Sequence, residues 1–524
     1  MSTKFTVHHI STEAVFATTK FAANADNSLY FVGWDNEVHI GTPDIKYEDF
    51  CIIKPYGMTY THGRHSVQSI ADSSPSRRGI AEAYDVRTYI ERFGTEAMTY
   101  GVEWDTANSS PDTGNMKRIG NATLHASLPV HSKIVGGLLT DDGVFTEFDN
   151  QADWTQSSNY VTDGTAGQVM VRIPTFYIKW ETQGTINRVL MSEVPIAGFK
   201  EVKEFYISAY EAALQRSTSK LASVKTTDSD YRGGNNNADW DNTNKSLLGV
   251  PATQISLTNF RTYARNRHSI NGQPDTRWNC DTYHAQKILY WLFVVEYATL
   301  NSQKDFNAAL TSEGYHQGGL GMGITTWTED AWRAYNNLYC FIPCGITDTL
   351  GNGTGVTEYK VYDTDGTTVL KAFSPTASGT PGIPRYRGIE HPFGHCWKWV
   401  DGILVNVTST TSPIYVCDDP ARFASTINDG YHLVGNESRA NDWLKEIHFG
   451  ADGDITAKVC GGGANSSTYY CDYHWTNLDS PSLRGVLWGG RAIFGSYSGL
   501  ALSTSDRVPS CTYPHVVSRL CFYP

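Results

Sequence analysis

The sequence is short of charge, of patterned cysteine and of long apolar runs. Only 18% of its 524 residues are charged, and 54 acidic residues against 42 basic ones leave a formal charge of -12. Proteins that grip a phosphate backbone do so with clustered Lys and Arg, so no nucleic-acid partner is expected. The longest apolar run is Ile288 to Val295, closed off by Lys287 and Glu296. A spanning helix needs roughly 20 such residues, so no membrane insertion is expected. Ten Cys without a CxxC pair supply neither a disulfide framework nor a zinc pattern. Cys340 and Cys344 read as two buried thiols, and no metal or cofactor is expected. Met1 to Ala17 has no apolar stretch behind basic residues, and lipidation signals are lacking, so the reading is synthesis in a cytosol with no standard export route.

What is present is apolar and aromatic. Apolar residues make up 40%, aromatics 12%, with 30 Tyr, 14 Trp and 47 Gly. Disordered chains have the reverse composition, so substantial cores are expected in a β-rich, loop-rich protein of about two to four domains. Short strands are read at Phe5 to Ile10 and Leu29 to Val32, and a helix at Ile80 to Phe93 from Ala83, Val86, Tyr89 and Ile90. Asn108 to Gly114 reads as a long turn and Gln151 to Gly167 as a polar stretch before a strand at Val169 to Trp180. A turn at Pro195 to Phe199 leads to another strand at Glu204 to Tyr210. Arg232 to Asn244 is a polar loop. The strongest helix spans Thr282 to Leu300, apolar around most of its circumference and therefore buried on more than one side. Three parts follow: 1–98 and 99–168, both β-rich, and 169–524.

Four segments in order resemble one family. VRIPTF from Val171 with FYISAYE from Phe205, the helix ending VVEYAT at Thr299, FGHCWKW from Phe393 to Trp399, and RGVLWGG from Arg484 followed by SRLCF at Ser518 to Phe522 are similar to the landmarks of the C-type lectin fold in its formylglycine-generating-enzyme subtype. His395, Cys396 and Lys398 depart from the family's pattern. The resemblance implies an α+β class, with 169–524 as one enlarged C-type lectin domain behind a β-rich N-terminal region. Phe393, Trp397 and Trp399 would pin a Gly-containing turn into the core.

The tail carries the functional signal. Arg491 to Pro524 contains no Asn, Lys, Gln, Glu, Met or Trp, in a chain otherwise rich in Asn and Trp. Gly495, Ser496, Gly499 and Pro509 punctuate it, and the residues between are ones that an AAY codon reaches when only its adenines change. This resembles the variable region of diversity-generating retroelement proteins, here about 484–522, whose best-known members are phage tropism determinants. The ligand-binding residues so implied are Arg491, Ile493, Phe494, Tyr497, Leu502, Thr504, Asp506, Arg507, Cys511, Tyr513 and His515. They mix aromatic and Arg anchors with small polar groups, while Val486, Leu487, Leu520 and Phe522 would hold the frame. The bland alternative is an ordinary Gly/Ser-rich pair of strands.

The resemblance implies a phage tail receptor-binding protein without catalytic residues. It would be part of the virion, made in the host cytoplasm, and would recognise a host-cell surface protein or glycan. Its N-terminal region would attach to other tail proteins or its own copies, as a homo-oligomer, a trimer by resemblance. A tail-associated glycan-degrading enzyme and a bacterial surface adhesin stand as alternatives. For an enzyme, Asp452, Asp454 and Asp472 are the acids on offer, though such residues more often form turns. The resemblance implies a thiol pair for a formylglycine-generating activity, and Cys511 and Cys521 do not match its positions. Gln273-Pro274-Asp275 and Trp278-Asn279 look like calcium motifs of lectins but sit side by side. Asp363 to Gly366 lacks the acid that closes a calcium loop and reads as a hairpin turn.

Overall fold

In the computed structural model the described residues are 95–242, 244–375 and 381–524, with the backbone of a hairpin pairing Leu29–Val32 with Val38–Gly41. Leu29 to Val32 is thus a strand as read, while Phe5 to Ile10 and Ile80 to Phe93 lie outside the described residues.

The single strand read from Val169 to Trp180 breaks at Pro174, which has no N–H to give a ladder. Two strands result, Gln168–Ile173 and Phe176–Gln183, and they enter different sheets. The first, buried on both faces except at Arg172, joins a six-stranded sheet. Its order is Trp278–Cys280, Leu520–Phe522, Phe205–Ser208, Gln168–Ile173, Val135–Leu139, Phe145–Glu147. The second alternates buried and half-buried residues and joins a five-stranded sheet with Lys200–Val202, Ile186–Ser192, Tyr100–Asp105 and Lys117–Gly120. Residues read as a connecting region, 99–168, therefore pair with later strands in both sheets, and the border expected after 168 falls at the first residue of a central strand. Pairing between strands far apart in sequence overrides the polar stretch that suggested a boundary.

Helix Tyr283–Tyr297 is the central pillar. Thr282 caps it by accepting from the Ala285 N–H at 3.1 Å, and Ala298 ends it in the left-handed region. Every residue except His284 is buried, because the helix packs between Tyr100–Asp105 and Trp397–Val407. Trp291 stacks on Trp104 with ring centroids 5.9 Å apart. The third and largest sheet runs His432–Asn436, Pro413–Val416, Trp397–Val407, Ser482–Trp488, Ser503–Arg507, Tyr473–Thr476, Asp442–Ile447 and Ala457–Cys460, with Val516–Val517 parallel to the start of Trp397–Val407.

Of the described residues 15% are helix and 32% strand, so strands carry more of the fold than the expected α+β class suggests. Phe393, Trp397 and Trp399 are buried as core residues, as are Val486, Leu487, Leu520 and Phe522. Asp363 to Gly366 is the hairpin turn between Tyr359–Tyr362 and Val369–Phe373. Among the described residues no helix is long and apolar enough to cross a membrane.

Candidate functional site

The C-terminal segment folds over one face of the largest sheet and closes a cleft of about 530 Å³. Register places Trp399 beside Leu487, Leu487 beside Thr504, and Thr504 beside Trp475. Side chains alternate along a strand, so this row shares one face. The next residues point the other way: Trp488 packs into the central core, and Ser505 bonds Glu437 behind the sheet.

Seven of the residues read from the tail line this cleft together: Arg491, Phe494, Thr504, Asp506, Arg507, Tyr513 and His515. Tyr497, 39% exposed, stands beside it with its ring 4.6 Å from Tyr473 and 5.0 Å from Trp443. Cys511 is half-buried against the cluster that holds Phe494 and Tyr513. Two residues behave otherwise. Leu502 is fully buried, its carbonyl accepting from the Gly489 N–H at 3.0 Å, so it belongs to the frame and offers a ligand nothing. Ile493 packs sideways against the cluster of Trp327 and Trp332, because Ala492 between it and Arg491 is pinned to the core. The Ala492 N–H donates to the His395 carbonyl at 3.0 Å, and its own carbonyl accepts from Trp327.

The other half of the surface comes from residues that the tail alone could not reveal. Trp397 and Phe494 lie 5.4 Å apart, Phe494 and Trp475 4.7 Å, Trp475 and Tyr473 4.5 Å. With Tyr497 and Trp443 they form a continuous, partly exposed aromatic row. Trp475 is brought in by the parallel pairing of Tyr473–Thr476 with Ser503–Arg507, two strands nearly 30 residues apart in the chain. Asn441, Asn477 and Asp479 add polar groups at the rim. The one available signal was the aromatic spacing in Tyr473-His474-Trp475.

Charge is placed against these rings. The Arg491 guanidinium lies 5.1 Å from the Phe494 ring centroid and 3.3 Å from Glu329. Arg507 lies 5.0 Å from the Tyr513 ring and 3.2 Å from Asp506. Burial, then the charges of Arg491, Arg507 and Arg333, hold His515 well below its ordinary value, so it is neutral at pH 7. Arg491 Nε, Asp506 Oδ1 and His515 Nδ1 are buried without a hydrogen-bond partner among the described residues. Unmet polar atoms of this kind are costly, and a bound ligand can satisfy them. Aromatic faces beside an Arg pair, a carboxylate and amides suit a sugar ring or an aromatic or charged side chain.

The other groups weighed in the sequence have structural partners. Asp452 pairs with Lys200, and Asp454 accepts from the Tyr283 hydroxyl at 3.0 Å and from Lys287 at 3.4 Å. Asp472 is buried against the Ala501 N–H at 2.6 Å, and burial pushes its carboxyl well above the usual range. Asp275 binds His268 and Arg277, while the Asn279 amide donates to the Thr276 carbonyl. Cys521 is buried in the terminal strand.

No protein-family model and no curated protein matches the chain. Among solved structures it is similar to PvdO from Pseudomonas aeruginosa, at 12% identity over 70% of this chain and 97% of that one, with a TM-score of 0.30. It is also similar to the Major Tropism Determinant P3c variant, at 13% identity over 69% of this chain and 73% of that one, TM-score 0.19. The U1 variant stands at 12% identity, with the same two shares and a TM-score of 0.18. Scores of that size do not establish a shared fold, and what the cleft can bind follows from its own residues.

Proposed function

We propose that this chain is a receptor-binding protein of a phage tail, which recognises a host-cell surface protein or glycan through a diversified cleft and performs no chemistry on it. Its C-terminal part is read as an enlarged C-type lectin domain. The observation that carries the reading is convergence: seven residues picked from the tail for their codon pattern meet in one cleft. The floor beneath them is built from buried Trp397, Leu487 and Val516, which need not change when the lining does. An ordinary pair of closing strands has no reason to gather such residues on one surface. Attachment to other tail proteins through the N-terminal region, trimer formation and residence in the virion belong to the same proposal.

The test is binding of the purified full chain to intact host cells, measured by sedimentation. Arg507→Ala removes a cleft group that is 41% exposed, and Tyr497→Ala a ring beside the cleft that is 39% exposed. Each is expected to weaken binding by roughly tenfold or more, as anchor residues do, with an unchanged urea midpoint. Unchanged binding in both would overturn the assignment of the cleft, and turnover of a cell-surface glycan would favour the enzyme instead.

A further inference from the structure

We infer that Cys340, His395 and Cys396 form a closed site for one structural metal ion of the zinc class, set in the core beneath the cleft. Cys340 follows helix Glu329–Asn336, whereas His395 and Cys396 lead into strand Trp397–Val407. The ligand atoms of the three lie within 4.8 Å of one another, and all three residues are fully buried. The two sulfurs stand 3.0 Å apart, and around a tetrahedral zinc they would move out to about 3.8 Å. Two thiolates and an imidazole are donors that zinc takes in structural sites, and a sealed core leaves no open position for a substrate.

The surroundings are those of a metal-bound histidine. His395 Nδ1 is 2.7 Å from the Glu211 carboxylate, which fixes the ring and leaves Nε2 to face the sulfurs' side of the core. Nε2 has only a long contact, 3.3 Å, from the Phe341 N–H, which a metal would replace. Glu211 is itself held by Lys398 at 3.1 Å. A second observation is independent of these. His391 is 2% exposed, and neither of its ring nitrogens has a partner among the described residues. Its ring stacks 4.7 Å from that of His395, which leaves an unpartnered nitrogen donor beside the three ligands. Both histidines sit in the left-handed region, at φ 48° and 59°, with Gly394 at 76° between them. Backbone strain of this kind persists where the side chains are needed in place.

Binding is balanced without any redox step. The ion enters as M²⁺, the two thiols give up two protons to solvent, and the two thiolates neutralise the charge in the core. The ion would tie residues 337–344 to 391–396. Because the His395 carbonyl holds the Ala492 N–H, it would also fix the start of the tail at Arg491. The ligands escape a motif search because Cys340 and Cys396 are 56 residues apart.

The experiment uses the full chain purified from zinc-supplemented medium, with metal content by mass spectrometry, intact mass, and exchange of the metal for cobalt(II). The expected result is one zinc per chain and, with cobalt, the near-ultraviolet thiolate-to-metal band and tetrahedral visible bands. Cys340→Ser and Cys396→Ser are each expected to lower zinc retention at least tenfold during dialysis against a weak chelator. Where a variant does not fold, the cobalt spectrum of the unaltered protein decides. Zinc well below one per chain after zinc addition, with both cysteines free thiols, would overturn the inference. So would a mass lower by two hydrogens, with Cys340 and Cys396 joined as a disulfide.

Discussion

Arg387→Met is expected to lower the unfolding free energy by about 3–5 kcal/mol at pH 7, the usual cost of stranding one member of a buried ion pair. Glu296 lies on the central helix, fully buried, and meets Arg387 through both carboxylate oxygens at 2.6 and 3.1 Å. Tyr386 donates to it at 3.0 Å. Burial alone would raise the Glu296 carboxyl. Arg387 and His131 outweigh that and hold it down at about 2, against an ordinary 4.5. A carboxyl depressed in this way contributes stability that is present above about 4.5 and is lost as pH falls towards 2. In the methionine variant the same carboxyl, buried without its cation, takes up a proton more readily. The penalty should therefore shrink at pH 4. Urea titrations of both proteins at pH 7 and pH 4 check this, and a pH-independent loss below about 1 kcal/mol would mean that water reaches Glu296.

The second large effect lies behind the binding face. Glu437 is buried under strand Ser503–Arg507, where it accepts from the Ser505 hydroxyl, and burial pushes it up to about 8 from an ordinary 4.5. His474, 3.6 Å away, is pushed down by burial to about 4. At pH 7 both are neutral, so their contact is not an ion pair. A raised carboxyl keeps its proton in the folded state where the unfolded chain has lost it, so stability falls as pH rises from about 4.5 to about 8. Glu390, up to about 7, and Asp281, up to about 6, act with the same sign. The buried histidines His125, His131 and His474 and the half-buried His284, all near 4, act oppositely and cost stability as pH falls below about 6.5. The expected profile has its maximum near pH 6. Glu437→Gln keeps a polar group facing Ser505 and removes roughly 2 kcal/mol of the decline between pH 6 and pH 8, at about 1.4 kcal/mol for each pH unit until the slope halves at pH 8. An alkaline limb unchanged in the variant would contradict the burial of Glu437 as a neutral acid.

Local chemistry made the central elements legible. The helix read at Thr282 to Leu300 is present with Thr282 as its cap, because its apolar residues leave no solvent face. Asn108 to Gly114 is a turn, and Phe393, Trp397 and Trp399 are core. The strand Ile186–Ser192 is not legible in this way: polar Asn187 shares its buried face with Val189 and Met191, and only its pairing with Tyr100–Asp105 shows why. The same limit applies to the site. Composition picks out Arg491, Phe494 and Arg507 because they sit in one biased stretch. Trp475, Trp443 and Trp397 look like any core aromatic until register sets them beside Thr504 and Phe494. Leu502 satisfies the codon pattern yet is buried, since a codon pattern carries no information about which way a side chain turns.

The measurement that bears most directly on the account is the DNA sequence flanking the gene. The expected result is a reverse transcriptase gene nearby and a near-copy of codons 484 to 522 that differs only at adenines. Those differences should fall at codons for cleft residues such as Arg491, Phe494, Asp506, Arg507 and Tyr513 and for Tyr497 beside them, and should spare the buried frame at Leu487, Gly490, Leu520 and Phe522. Absence of any such copy, or substitutions spread evenly over frame and cleft codons, would contradict the diversified binding face.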